Sequence, residues 1–109
     1  MMYEVVVTNQ AESDLKGIYE YIAFELLSPE NATKQFDRLE AAIIGLEEFP
    51  DRFRLYTAEP WHSRGLRVMP VDNYLVLYIP SSEKKTVTVI RVVYVGRDVD
   101  NQLNNCTDV

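Results

Sequence analysis

The sequence predicts an α+β domain in two layers, ordered β-α-α-β-β-β, with a helical hairpin packed on a mostly antiparallel four-stranded sheet. Three observations predict it. A short β-branched run opens the chain, two apolar stripes of helical period follow on either side of Ser28-Pro29, and the back half holds three apolar runs divided by turn residues. A chain of 109 residues suits one domain with one core. The domain is taken as residues 1–109, with the polar stretch 101–109 expected to form a flexible tail.

Tyr3 to Val7 (YEVVV) is aromatic and β-branched, which favours a strand. Asn9 followed by Glu12 reads as a capping box, and Asp14 adds negative charge near the start of the helix. Leu15, Ile18, Tyr19, Ile22 and Leu26 then form one helical stripe. Ser28 suits an N-cap and Pro29 the first helical position, so a second helix begins at once, with Ala32, Phe36, Leu39, Ala42, Ile43 and Leu46 on its apolar face. A link this short makes the two helices antiparallel neighbours. Phe49-Pro50 closes the second helix. Residues 50–64 have no clean period and read as a loop with room for one helical turn.

The strands come next. Leu66 to Met69 is short and ends at Pro70, and Val71-Asp72-Asn73 turns the chain. Tyr74 to Ile79 alternates, with Leu75, Leu77 and Ile79 on one face and Tyr74, Val76 and Tyr78 on the other. Residues 80–85 read as a polar hairpin loop. Thr86 to Val95 is the longest run and is apolar on both faces, which makes it central. Simple alternation puts Arg91 on a face with Val87, Val89, Val93 and Val95, and Tyr94 with Thr88, Ile90 and Val92. One sheet face carries the helices. The other has little left to cover it and is expected to meet a partner or substrate.

Composition narrows the function. A single cysteine, Cys106, makes neither an internal disulfide nor a zinc cage, so a reducing, cytoplasmic setting is expected. The first residues lack the basic flank and apolar run of a signal peptide, and no stretch approaches the roughly 20 apolar residues of a membrane helix. No membrane partner is expected. The net charge of −6 opposes general nucleic-acid binding. Its distribution is uneven: residues 1–60 hold 12 acids and 5 bases, whereas residues 61–97 hold 6 bases and 2 acids. A partner docking on one face feels that local field rather than the total.

There is no phosphate-binding glycine loop, no dinucleotide fingerprint, no zinc-protease helix and no nucleophile elbow, so no metal or other cofactor is expected. The helix glutamates fall at solvent-face spacing. What remains is a set of arginines and aromatics in the back half: Trp61, His62, Arg64, Arg67, Tyr74, Tyr78, Arg91, Tyr94 and Arg97. Guanidinium forks match phosphate and carboxylate oxygens, and aromatics stack on bases or fill partner pockets. Each residue also has an ordinary reading. Arg91 is a site residue or a buried guanidinium paired with a helix carboxylate. Tyr94, Tyr74 and Tyr78 are contacts or packing. Arg67 and Arg97 are contacts or surface charges. His62 is a proton carrier or a solvated loop residue, and Trp61 is an anchor or a lid over the core.

The order of elements, the stretch GLRVMPVDNYLVLYIP and the ending VTVIRVVYVGRD resemble the RelE/ParE superfamily of toxins from type II toxin–antitoxin modules, over roughly residues 3–98. The resemblance implies a growth-inhibiting, plasmid-stabilising toxin and a cognate antitoxin that wraps it in a hetero-oligomer. It also implies one of two targets. RelE-like members are mRNA interferases that cut mRNA on the ribosome, and tend to carry an arginine after the tyrosine of the third-strand pattern, where this chain has Leu75. ParE-like members inhibit DNA gyrase, and the apolar filling of Tyr74-Leu75-Val76-Leu77-Tyr78 is similar to theirs. The resemblance therefore leans to gyrase, with ribosome-dependent, metal-independent RNA cleavage as the alternative and an inactive homologue as the third possibility. On the gyrase reading Arg67, Tyr74, Tyr78, Tyr94 and Arg97 contact the target. On the nuclease reading Arg67, Arg91, Tyr94, Arg97 and His62 form the catalytic set. The basic 61–97 region implies acidic contacts from the antitoxin.

Overall fold

The computed structural model describes residues 2–96 and 98–104. β1 (Glu4–Val7) leads into α1 (Asn9–Glu20), which continues as a wider turn over Tyr21–Glu25, and α2 (Pro29–Ile44) returns antiparallel to it. Two tight helical turns, Gly45–Glu47 and Pro50–Arg52, precede β2 (Arg67–Val71), β3 (Tyr74–Ser81) and β4 (Thr86–Tyr94), and a short α3 (Val99–Asn104) follows. The sheet order is β1-β4-β3-β2, with β1 parallel to β4 and the other pairs antiparallel. The predicted architecture is therefore present, and β4 is central.

Local chemistry shifts several boundaries. The N-cap of α1 is Thr8, one residue earlier than Asn9, and its hydroxyl accepts from Ala11 N–H at 3.1 Å. After Glu20 the helix widens: Leu26 N–H bonds to Tyr21 O at 3.1 Å, five residues back. That extra residue rotates the stripe, so Ile22 is buried while Leu26 is 56% exposed. Leu27, in the left-handed region at φ 53°, reverses the chain into α2. Ser28 takes the N-cap position and Pro29 the first turn, as the sequence predicts.

β2 runs through Pro70 instead of stopping there. Val68 N–H points away from β3 to Arg54 O, 3.0 Å away, and Pro70, two residues on, turns its nitrogen the same way. No bond to β3 is lost. β3 likewise continues through Pro80 to Ser81. The reverse turn between β2 and β3 is tied to α2. Asp72, at φ 55°, takes both Arg38 bonds (2.6 and 2.8 Å) and one from Gln35 (3.0 Å). These partners hold its carboxyl below the usual carboxylate range.

The core has two layers rather than one. On the helix side, Ala11, Leu39, Ile43 and Leu46 pack on Met69, Val76, Tyr78, Val87, Val89 and Val92. The second face, expected to be open, is covered. Trp61 and Leu66 from the loop, and Leu103 from α3, pack on Val68, Leu77, Ile90 and Val93. Trp61 is a lid, with its indole N–H on Asn104 Oδ1 at 3.1 Å, and the Tyr56 hydroxyl donates to Asp100. The residues from 101 to 104, expected as tail, thus belong to a helix whose Leu103 is fully buried. Residues 105–109 of that predicted tail, Cys106 among them, lie outside the described residues.

Tyr78 is fully buried, and its hydroxyl donates to Pro50 O at 2.5 Å, pinning the loop beneath the sheet. Burial pushes its phenol up to about 12, against an unfolded value of about 10. The folded state therefore holds the proton more tightly, and the associated stability is complete below pH 10 and fades as pH rises from about 10 to about 12. Tyr78→Phe should lower stability by about 1 to 3 kcal/mol, because the Pro50 carbonyl loses its partner. It should also flatten the loss of stability above pH 10, measured by urea unfolding across that range.

Candidate functional site

β4 is built around a bulge. Leu77 pairs with Arg91 and Tyr78 with Val89, leaving Ile90 as the extra residue. Val87 and Val89 face the helices, Ile90, Arg91 and Val93 the second face, and Val92 and Tyr94 the helices again. Arg91 and Tyr94 do lie on opposite faces, but the predicted companions are wrong. Arg91 shares its side with Ile90 and Val93, not with Val87 and Val89. Tyr94 shares its side with Val92, not with Thr88 and Ile90. The bulge inverts the alternation halfway along the strand.

Beyond Val7, β1 no longer covers β4. The N-terminal part of α1 takes over. Thr8 N–H bonds to Val89 O at 3.1 Å and Thr8 Oγ1 to Ile90 O at 3.1 Å. Asp14 Oδ2 then accepts from Val92 N–H at 3.0 Å and from Arg91 Nε at 2.7 Å, and its Oδ1 from Arg91 Nη2 at 3.0 Å. Arg91 Nη1 donates to Gln102 O at 2.7 Å. One carboxylate thus closes a strand edge and binds a guanidinium by a two-pronged fork. The two side chains are 13% and 17% exposed, so the pair is largely withdrawn from water. Of the two readings of Arg91, the structure supports the paired structural guanidinium.

An open groove of about 1160 Å³ runs beside this pair, between the tip of the helical hairpin and the ends of β3 and β4. Ile18, Tyr21, Leu26 and Leu27 line it from the helices, Tyr74 and Tyr94 from the strands, and Gln102 from α3. Tyr74 and Tyr94 meet edge to face at 5.8 Å between ring centres. Burial, with neighbouring Tyr94 and Tyr21, raises the Tyr74 phenol above its usual range. Among the lining residues Asp14 is the one charged side chain, and it is bound to Arg91. The hairpin tip is strongly apolar: Tyr21, Phe24, Leu26 and Leu27 are all more than half exposed. Tyr94 is held by an unusual allowance: a β-carbon on Gly96 would come within 2.5 Å of its ring.

The other expected site residues are elsewhere. Arg67 does not project from an open face. Its Nη1 donates to Phe53 O at 2.6 Å and Asp51 O at 3.0 Å, with Asp51 Oδ1 3.7 Å from Nε. It anchors the same loop as Tyr78, whose complete burial rules out target contact without unfolding. His62 is exposed on the turn beside Trp61, across the sheet from Tyr74 and Tyr94. Arg97 lies outside the described residues. Of the expected set, the groove brings together Tyr74 and Tyr94, with Arg91 bound behind them. Sequence reasoning missed the hairpin tip, because the widened turn that exposes Leu26 leaves no mark in the period. It also missed Asp14 as the partner of Arg91. A signal was present, since Asp14 stands beside Leu15 and four residues before Ile18, on the buried side of α1.

A family model described as ParE toxin of type II toxin-antitoxin system, parDE, matches residues 5–99. Among solved structures, the fold is similar to a chromosomal ParDE system from P. aeruginosa (TM-score 0.70, 21% identity, 86% of this chain and 97% of that one). It is also similar to the RelBE2 complex from Mycobacterium tuberculosis (TM-score 0.59, 22% identity, 86% and 92%) and to a double mutant of E. coli toxin RelE in the free state (TM-score 0.60, 16% identity, 86% and 84%). At these identities the likenesses speak for the fold alone. No curated protein sequence matches significantly.

Removing the carboxylate should expose how much depends on it. Asp14→Ala leaves a desolvated guanidinium and an unpaired strand N–H, and should lower stability by about 3 kcal/mol in urea unfolding. The double variant Asp14→Leu/Arg91→Met should lose less than the sum of its single variants, because it leaves no stranded charge.

Proposed function

Because the chain belongs to the ParE toxin family of type II toxin–antitoxin systems, we propose that it stops growth by binding and inhibiting DNA gyrase, without performing a reaction itself. One observation carries this reading: two of the arginines that an RNA-cleaving site would use are engaged in holding the fold, and the histidine stands apart from the groove. Arg91 is bound to Asp14 and Gln102, Arg67 to the Asp51–Phe53 backbone, and His62 is on the far side of the sheet. The groove mixes aromatic and aliphatic side chains with uncharged serine and amide groups, a composition that suits a protein-binding surface.

The contacts in this proposal are Tyr74 and Tyr94 with the apolar hairpin tip, and Arg97 as the cation suited to a neighbouring acidic group. The cognate antitoxin neutralises the toxin by covering the same groove. Since the groove is lined by uncharged groups apart from the bound Asp14, contacts there are apolar and amide-like rather than acidic. A cytoplasmic site of action follows from such a target.

The test is controlled expression, with DNA and protein synthesis followed separately, and a supercoiling assay on purified gyrase. The expected result is an early fall in DNA synthesis and blocked supercoiling with intact mRNA. Early loss of translation with cuts in ribosome-bound mRNA would overturn it. Tyr94→Ala should weaken gyrase inhibition about tenfold or more, as expected for an aromatic anchor. Gly96→Ala should do much the same by pushing the ring aside, and both variants should keep near wild-type stability.

A further inference from the structure

The two edges of the sheet are treated differently. The outer edge of β2 is closed by the chain itself: Val68 N–H bonds to Arg54 O at 3.0 Å, Tyr56 N–H to Leu66 O at 2.8 Å, and Leu55 bridges Arg67. β1 ends the sheet on the other side. Its bonds to β4 fix its orientation. Glu4 N–H donates to Lys85 O at 2.8 Å and Thr8 N–H to Val89 O at 3.1 Å. Glu4, Val6 and Thr8 therefore face β4, and Val5 and Val7 turn their N–H and C=O groups outward. Tyr3 N–H, the preceding outward group, is taken by Glu47 O at 2.8 Å. Below this edge is a mainly apolar cleft of about 670 Å³, lined by Val5, Val7, Leu15, Phe36 and Ile44 with the charged Glu12, Lys16 and Glu40 at its rim. Val6 is 43% exposed and Ile44 53%. The edge has none of the lysine, proline or bulge that keeps exposed strands apart.

We propose that this edge pairs with the same edge of a second copy of the chain, antiparallel about a twofold axis through Val6, joining two four-stranded sheets into one. The register follows from the groups on the edge. Val5 falls opposite Val7 of the second copy and exchanges both main-chain bonds with it, and Val7 does so with Val5. Val6 meets Val6 in the closely spaced, non-hydrogen-bonded position. Glu4 falls opposite Thr8 of the second copy, not opposite its own counterpart, so the only charge on the strand meets no like charge. The twofold axis also sets the two α1 helices in opposite directions. This brings Lys16 of one copy toward Glu12 of the other and joins the two clefts into one apolar layer. A foreign strand could satisfy the same backbone groups. The charge order, which is matched by its own reversal, is what favours a second copy. The pairing is independent of the gyrase reading.

The test uses the full chain purified free of antitoxin, followed by sedimentation equilibrium across concentration. The wild-type chain should form a dimer. Val6→Lys and Val6→Glu, each at an exposed position, should remain folded with an unchanged melting temperature but weaken the dimer about tenfold or more, by placing like charges on the axis. An equal mixture of the two variants should restore it, which a merely structural defect would not do. A wild-type chain that stays monomeric throughout its soluble range would overturn the proposal, as would a dimer indifferent to Val6→Lys or a mixture that stays monomeric. A wild-type monomer whose β1 edge is protected only when antitoxin binds would assign the edge to the antitoxin instead.

Discussion

The Asp14 carboxylate is the point on which the exit of β4 depends. β1 is four residues long, too short to cover the full length of β4. Where it ends, Thr8 and Asp14 act in place of the missing strand, giving partners to the Ile90 carbonyl, the Val92 N–H and the Arg91 guanidinium. The same guanidinium reaches the backbone of α3 through Gln102. Three elements distant in sequence are thereby joined at the exit of β4, where Tyr94 projects into the groove. An arginine inside an aliphatic strand is costly unless its charge is matched, and here the match also sets the position of a helix.

Much of the fold was legible because its signals were redundant. The stripes of both helices as far as Ile22 and Leu46, the Ser28-Pro29 boundary and the alternation of Tyr74 to Ile79 each rest on several residues at fixed spacing, and these appear in the structure. The failures share one cause, a change of phase that composition hides. The bulge at Ile90 sits among β-branched residues on both faces, so inverting the alternation changes nothing visible in the sequence. The widened turn at Tyr21–Glu25 moves Leu26 into solvent without altering its spacing from Leu15. The covering of the second face was missed because its material is dispersed: Trp61 and Leu66 come from a stretch without period and Leu103 from a polar one. Composition and resemblance named the tyrosines of the back half as candidates, but neither could separate Tyr94 at the surface from Tyr78 at the centre.

These distinctions reshape the functional picture. The basic residues of the back half suggested a cationic face, yet Arg67 and Arg91 are used internally, and the groove presents aromatic rings, aliphatic side chains and amides. A surface of that kind discriminates by shape and by the burial of anchors more than by long-range attraction.

The parallel pairing of β1 with β4 has a consequence for the order in which the molecule comes into being. The first strand made and the last are neighbours, and the strand between them in the sheet sequence is none. Until residues 86–94 are available, β1 has no partner, the stripe of α1 has no sheet to cover, and Asp14 has no guanidinium. α3, which seals the other face, comes later still. During synthesis the segments of both helices are made before the strand they pack on, and the aromatic groove, which needs Tyr94, forms only with the final strand.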